Sequence, residues 1–146
     1  MDALTVMKEL RERQEQISRI KERILMRRDA VTAITAQYGE RGGTSGSSAD
    51  KMVSYVADVD ELLDKQNRLI RRQGAELALC VKLCDGLDGV KSKVLYEYYG
   101  KAWTLSAIAA SEGYTPNYVR RIKGELDTML QGIAVDQLLP EWYTEE

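Results

Sequence analysis

Apolar residues recur at an interval of seven through the start of the chain: Leu10, Ile17, Ile24, Val31 and Tyr38 share that spacing, with Leu4, Met7, Ile20 and Ile34 at intermediate helical positions. The pattern predicts one long amphipathic helix over residues 2–38. Its other face is dense in charge, including Glu9–Arg13 and Glu15–Arg19, pairs that support a helix by a few tenths of a kcal/mol, roughly. Arg23, Arg27 and Arg28 cluster on that face. A basic helix for phosphates is one use of them; a plain solvated face is the commoner outcome for such runs.

Residues 39–49 break the periodicity with glycine and serine, a composition that opposes regular structure through backbone entropy and predicts a flexible loop. A second apolar stripe follows, carrying Met52, Val53, Val56, Val59, Leu62, Leu63, Leu69, Ile70, Leu77, Cys80, Val81 and Cys84. Ser47, Ser48 and Asp50 are its candidate caps. Two long stripes joined by a short loop bury themselves either as an antiparallel hairpin or by homodimerisation through these helices. Polar residues interrupt the stripes at Gln14, Lys21 and Gln66, which argues against a pure two-stranded coiled coil.

Asp85-Gly86-Leu87-Asp88-Gly89 has the composition of a turn. Beyond it the pattern predicts three shorter helices: Lys91 to Tyr99 ended by Gly100, Leu105 to Glu112 ended by Gly113, and Pro116 to about Gln131. The expected organisation is a helical hairpin over 1–84, a three-helix module over 88–132 and an acidic aromatic tail over 133–146. Trp142 and Tyr143 in that tail are expected to fold back onto the protein's own helices, the alternative being a short partner-binding peptide. The fold class is all-α.

Composition narrows the function classes. The chain has no histidine, which removes the usual general base and the commonest metal ligand, and Cys80 with Cys84 cannot close a tetrahedral zinc site. The glycine-rich segment lacks the Gly-Lys-Ser/Thr ending of a phosphate-binding loop. The expectation is a protein that is not an enzyme and has no cofactor or metal. The two cysteines, four apart on one helix, are expected as core thiols in a reducing cytoplasm, and no segment reads as an export signal or membrane span. Net charge is −2, but residues 133–146 hold four acids and no base, so the rest of the chain is close to neutral and DNA contact would need a local basic patch.

Such a patch lies in the segment from Thr104 to Ile122, which has the spacing of a helix-turn-helix. Thr104 can cap the scaffold helix, with Leu105 and Ile108 facing inward and Ala109 small enough for a close helix crossing. Gly113 can take positive φ at the turn, Thr115 can cap the next helix, and Pro116 suits its first position. Val119 and Ile122 then pack inward and leave Asn117, Tyr118, Arg120, Arg121 and Lys123 facing out. An amide suits adenine edges, and the cations suit guanine edges or phosphates. Lys91, Lys93 and Lys101 are either further phosphate contacts or plain surface. Tyr96, Tyr98 and Tyr99 are expected to pack the first module helix against the third rather than stack on bases, and Trp103 is expected in the core.

At these residues the sequence resembles a known family. Residues 91–130, KSKVLYEYYGKAWTLSAIAASEGYTPNYVRRIKGELDTML, resemble region 4 of sigma-70-type factors in order and spacing. The wider plan, including the stretch ADKMVSYVADVDELLDKQNRLI, is similar to small phage and prophage proteins grouped with late-transcription regulators. The resemblance implies a bacterial-host cytoplasmic regulator that binds double-stranded DNA, with RNA polymerase as a partner. It does not imply a promoter sequence, because Pro116, Asn117 and Tyr118 stand where sigma factors usually carry charged reading residues. Two other functions fit the same module: a helical adaptor or inhibitor that binds a host protein without its own DNA readout, and a DNA-packaging component, which would form a ring-sized oligomer.

Overall fold

The computed structural model describes the backbone over residues 1–41 and 46–145 and the side chains over 1–36 and 50–144. Among the described residues the fold is all-α, with α1 at Ala3–Arg41, α2 at Gly46–Asp85, α3 at Gly89–Leu95, α4 at Leu105–Glu112, α5 at Pro116–Gln131 and a short α6 at Glu141–Glu145. A π-helical turn, Tyr96–Gly100, follows α3 directly. Helices α1 and α2 form the antiparallel hairpin. They also reach further into the glycine-rich segment than its composition suggests, to Arg41 on one side and from Gly46 on the other. Extending an existing helix adds a hydrogen bond for each residue fixed, which offsets the roughly 1 kcal/mol that a glycine costs. The rest of the expected loop, residues 42–45, lies outside the described residues.

The chain divides into two compact units, and not where the turn at residues 85–89 suggested. One comprises residues 1–15 with 71–146, the other residues 16–70. The reason is packing. Leu4, Met7 and Leu10, which read from sequence as hairpin, share one core with Leu79, Leu95, Tyr99, Ile108, Leu126 and Leu130. Backbone bonds join the two ends of the chain within this unit: the Ala3 amide donates to the Ile133 carbonyl at 2.8 Å and the Val135 amide to the Met1 carbonyl at 3.2 Å. The tail is therefore part of the unit rather than an appendage.

Polar side chains fasten the first unit where its helices meet. Arg13 of α1 grips Glu76 of α2 with a two-pronged bond of 2.6 and 2.8 Å, and Glu76 is fully buried. The Tyr143 hydroxyl from α6 donates to Glu76 at 2.5 Å and also reaches Glu9 at 2.8 Å. Arg72 lies over the Tyr143 ring and Arg71 over the Trp142 ring, each 4.2 Å from the centroid. So the tail aromatics fold back onto the protein's own helices, as their type and position suggested. Tyr143 is buried and Trp142 half-buried.

Gln14, an interruption of the apolar stripe in sequence, has a function in the same unit. It donates to the Gly100 carbonyl at 2.6 Å and accepts from Gln73 at 2.6 Å. One Arg11 guanidinium nitrogen donates to the carbonyls of both Tyr98 and Trp103. These two side chains explain why the expected helix Lys91–Tyr99 opens into a π turn at its end. The wider turn leaves carbonyls without their usual partners, and Arg11 and Gln14 supply donors to them.

In the second unit α1 and α2 pair along their length, with Ile17, Ile20 and Ile24 buried. Arg27 sits 3.9 Å from Asp58 and 5.3 Å from the Tyr55 ring centroid, and the Thr35 hydroxyl approaches the Met52 sulfur at 3.9 Å. The falling partner numbers show the antiparallel run.

Candidate nucleic-acid interface

Local sequence sets the ends of both helices that carry the candidate site. The Thr104 side chain accepts from the Ala107 amide at 3.1 Å, the N-cap of α4. Gly113 ends α4 in the left-handed conformation, φ +75°, which favours glycine at that turn. Two residues on, Thr115 accepts from the Tyr118 amide at 3.3 Å, and Pro116 opens α5 where a missing amide hydrogen leaves nothing unpaired. Val119, Ile122, Leu126 and Leu130 form one buried stripe on α5, and Ile108 and Ala109 of α4 are buried with them in the core of the unit.

That stripe fixes which residues look outward. Asn117, Tyr118, Arg120 and Arg121 are exposed, as expected from their spacing. Lys123 is not part of the free face. Its ammonium lies 2.9 Å from Asp127, one turn along, and 5.3 Å from the Tyr98 ring centroid, so it is half-buried and its charge is matched. The four exposed residues have local partners of differing strength. Arg120 donates to the Asn117 side-chain oxygen at 3.1 Å and leaves most of its guanidinium to solvent. Arg121 approaches Glu125 at 3.5 Å, and Lys91 of α3 reaches the same carboxylate at 3.8 Å. Exposed pairs at such distances are worth little and exchange readily with an incoming phosphate.

The remaining lysines divide the same way. Lys93 pairs with Glu112 at 3.2 Å, while Lys101 lies over the rings of Trp103 at 4.9 Å and Tyr96 at 5.5 Å. Tyr99 is buried, and its hydroxyl donates to Asp127 on α5 at 2.5 Å. Tyr98 packs edge-on against Tyr99 at 4.8 Å beneath Arg11. Both thus tie the π turn to its neighbours as expected, whereas Tyr96 is 36% exposed and belongs to the surface.

No protein family, curated protein or solved structure matches the chain.

One member of the exposed face was absent from the sequence reading. Tyr114, in the turn, is 38% exposed and its ring centroid lies 5.0 Å from that of Tyr118. The two rings form an aromatic edge beside Asn117 and Arg121. The spacing of four with one helical turn between was the available signal. Nearby, Glu97 and Glu112 form a carboxyl pair. One Glu97 oxygen is buried without a hydrogen-bond partner among the described residues, and burial, with Glu112 second, raises the Glu97 pKa above the ordinary carboxyl value. Among the described residues no group of three or more candidate ligands could hold a metal ion, and no helix is long and apolar enough to cross a membrane.

Proposed function

We propose that the chain is a phage-type transcription regulator, acting in the cytoplasm of a bacterial host, that binds duplex DNA with α4, the turn and α5 as a sigma-like helix-turn-helix. The observation that carries this is the outward face at the start of α5. Asn117, Arg120 and Arg121 project there from a capped helix whose opposite face is fully committed to the core. A recognition helix reads base edges with the residues near its N-terminus, and this end presents an amide and two guanidinium groups. The resemblance of residues 91–130 to sigma region 4 supports the same docking. Lys123 drops out of the contact set, since Asp127 and Tyr98 hold it.

The test is a salt titration of binding to a mixed-sequence DNA duplex by wild type and Arg120→Ala/Arg121→Ala. Two lost phosphate contacts should flatten the slope of log K against log salt by up to about 2, with the helical signal unchanged. Superimposable titrations would refute the proposal. The Tyr114–Tyr118 edge and the near-neutral charge around Glu125 favour one second reading, an adaptor whose module binds a host protein such as RNA polymerase. A pull-down from nuclease-treated host lysate separates the two, because an adaptor keeps its cargo without DNA.

A further inference from the structure

Glycine in the interior of a helix must fix a loose backbone with no side chain to pack, and relative to alanine this costs roughly a factor of five in the folding equilibrium. Gly124 stands in the middle of α5, Pro116–Gln131, and is exposed. The usual uses of glycine do not apply to it. Its φ is negative, unlike that of Gly113. Beyond its own turn of helix, nothing among the described residues lies within 4 Å of where a Cβ would stand. The fold itself would accept alanine there.

Its place on the helix supplies a reason from outside the chain. At about 100° per residue, Gly124 falls in line with Asn117, between Arg120 and Arg121 in angle, and opposite the buried Ile122 and Leu126. Side chains on a helix lean toward its N-terminus, so both guanidinium groups reach away from Gly124, and Arg120 bonds Asn117 at 3.1 Å in doing so. One turn on, the Thr128 hydroxyl bends back onto the Gly124 carbonyl at 3.1 Å. What remains at the crest of the outward face is bare backbone. Building on the DNA-binding role proposed for α5, we infer that Gly124 is a positioning residue for the duplex, the point where base-pair edges come closest to the helix. Helix α5 then lies along the major groove for two turns, from Asn117 to Gly124, instead of touching it with its tip. A helix with its side chains is about 10–12 Å across and the groove about 12 Å wide, which leaves little slack. A methyl group at the crest lifts the short Asn117 amide off the base edges, while the long arginine side chains still reach phosphates. Gly74 of α2 makes the contrast. It is also exposed with nothing within 4 Å of its Cβ position, but its neighbours one turn away are Ile70, Leu77, Ala78 and an Arg71 that lies over the Trp142 ring.

Equilibrium binding of the full chain to two duplexes tests this, one selected by the wild type from a random-sequence pool and one of mixed sequence, with urea unfolding alongside. Gly124→Ala should strengthen the folding equilibrium about fivefold and yet weaken binding to the selected duplex about tenfold. Binding to the mixed-sequence duplex, held by phosphates, should fall by less than about threefold. Gly74→Ala should give a similar gain in stability and leave both affinities at wild-type levels. A Gly124→Ala variant that binds the selected duplex as well as wild type overturns the inference. So does one that unfolds at lower urea, since the glycine would then serve the fold, and so does a random pool that fails to enrich, since contact with base edges implies a sequence preference. Arg120→Ala/Arg121→Ala in the same assay separates the two roles. If it weakens binding while Gly124→Ala does not, only the role of Gly124 falls; if neither does, DNA binding by α5 falls with it.

Discussion

Tyr143→Phe removes one oxygen atom from the point where the tail meets the hairpin, and its effect on stability can be worked from the contacts. The ring stays, together with its burial and the Arg72 guanidinium 4.2 Å above it. Only the hydroxyl is lost, which donates to the fully buried Glu76 at 2.5 Å and lies 2.8 Å from Glu9. A hydrogen bond to a charged group is worth about 1.5–3 kcal/mol. One hydroxyl has one proton to give, and Glu76 keeps its two-pronged bond from Arg13, so the low end applies: about 2 kcal/mol. In urea unfolding followed by circular dichroism the slope should be unchanged and the midpoint should fall by about 1 M. A loss below about 0.5 kcal/mol would refute the reasoning, because that is what an unremarkable surface substitution does. The same hydroxyl gives a second readout. Burial first, and then the bonds to Glu76 and Glu9, push the Tyr143 pKa up from 10.0. Its stabilising contribution is thus complete below pH 10 and is lost as pH rises through the folded value. Tyr143→Phe should lose less stability than wild type across that alkaline range.

Other outcomes follow from single contacts. Thr115→Ala removes the cap of α5 and should lower stability by about 1 kcal/mol, and DNA affinity with it if α5 reads the groove, as measured by urea unfolding and duplex titration. Glu97→Gln should raise the urea midpoint at pH 7 and have little effect near pH 4. The folded pKa of Glu97 lies above the ordinary 4.5, so its contribution is present below that value and lost as pH rises. A lower midpoint at pH 7 would contradict the cost of an ionised carboxylate whose Oε2 is buried without a partner. The Cys84 thiol donates to the Ser92 carbonyl at 3.5 Å, and the neighbouring Cys80 thiol is the first cause drawing the Cys84 pKa down to about 7, so iodoacetamide should label Cys84 with a midpoint near pH 7 and leave the buried Cys80 unmodified in the folded protein. Labelling of Cys80 at a comparable rate would refute that assignment.

Features that depend on neighbours in sequence were legible before the structure. Thr104, Gly113, Thr115 and Pro116 mark the bounds of α4 and α5, because caps and turn conformations are settled within a few residues. The buried stripe through Val119 and Ile122 follows from helical period alone. Features that depend on distant partners were not legible. The π turn at Tyr96–Gly100 exists where Arg11 and Gln14, in the third and fourth turns of α1, supply donors to its carbonyls. The boundary between units likewise follows from Leu4, Met7 and Leu10 packing with residues from the far end of the chain. Lys123 is an intermediate case. Asp127 stands four residues ahead of it, the spacing of a helical ion pair, so its removal from the candidate surface was encoded locally and outweighed by the attraction of a basic cluster.

The backbone bonds between Ala3 and Ile133 and between Val135 and Met1 also bear on the time course of folding. A chain made from its N-terminus at about 5–20 residues per second would hold Leu4, Met7 and Leu10 unsatisfied on the order of ten seconds before their partners emerge. The first unit can then close only in a late step that joins contacts far apart in sequence, a topology that slows folding. Residues 16–70 form a compact unit from one contiguous span and can pair sooner. The nascent protein would therefore present its hairpin before the module that bears α5 exists, and the surface proposed to meet DNA would be the last part to become competent.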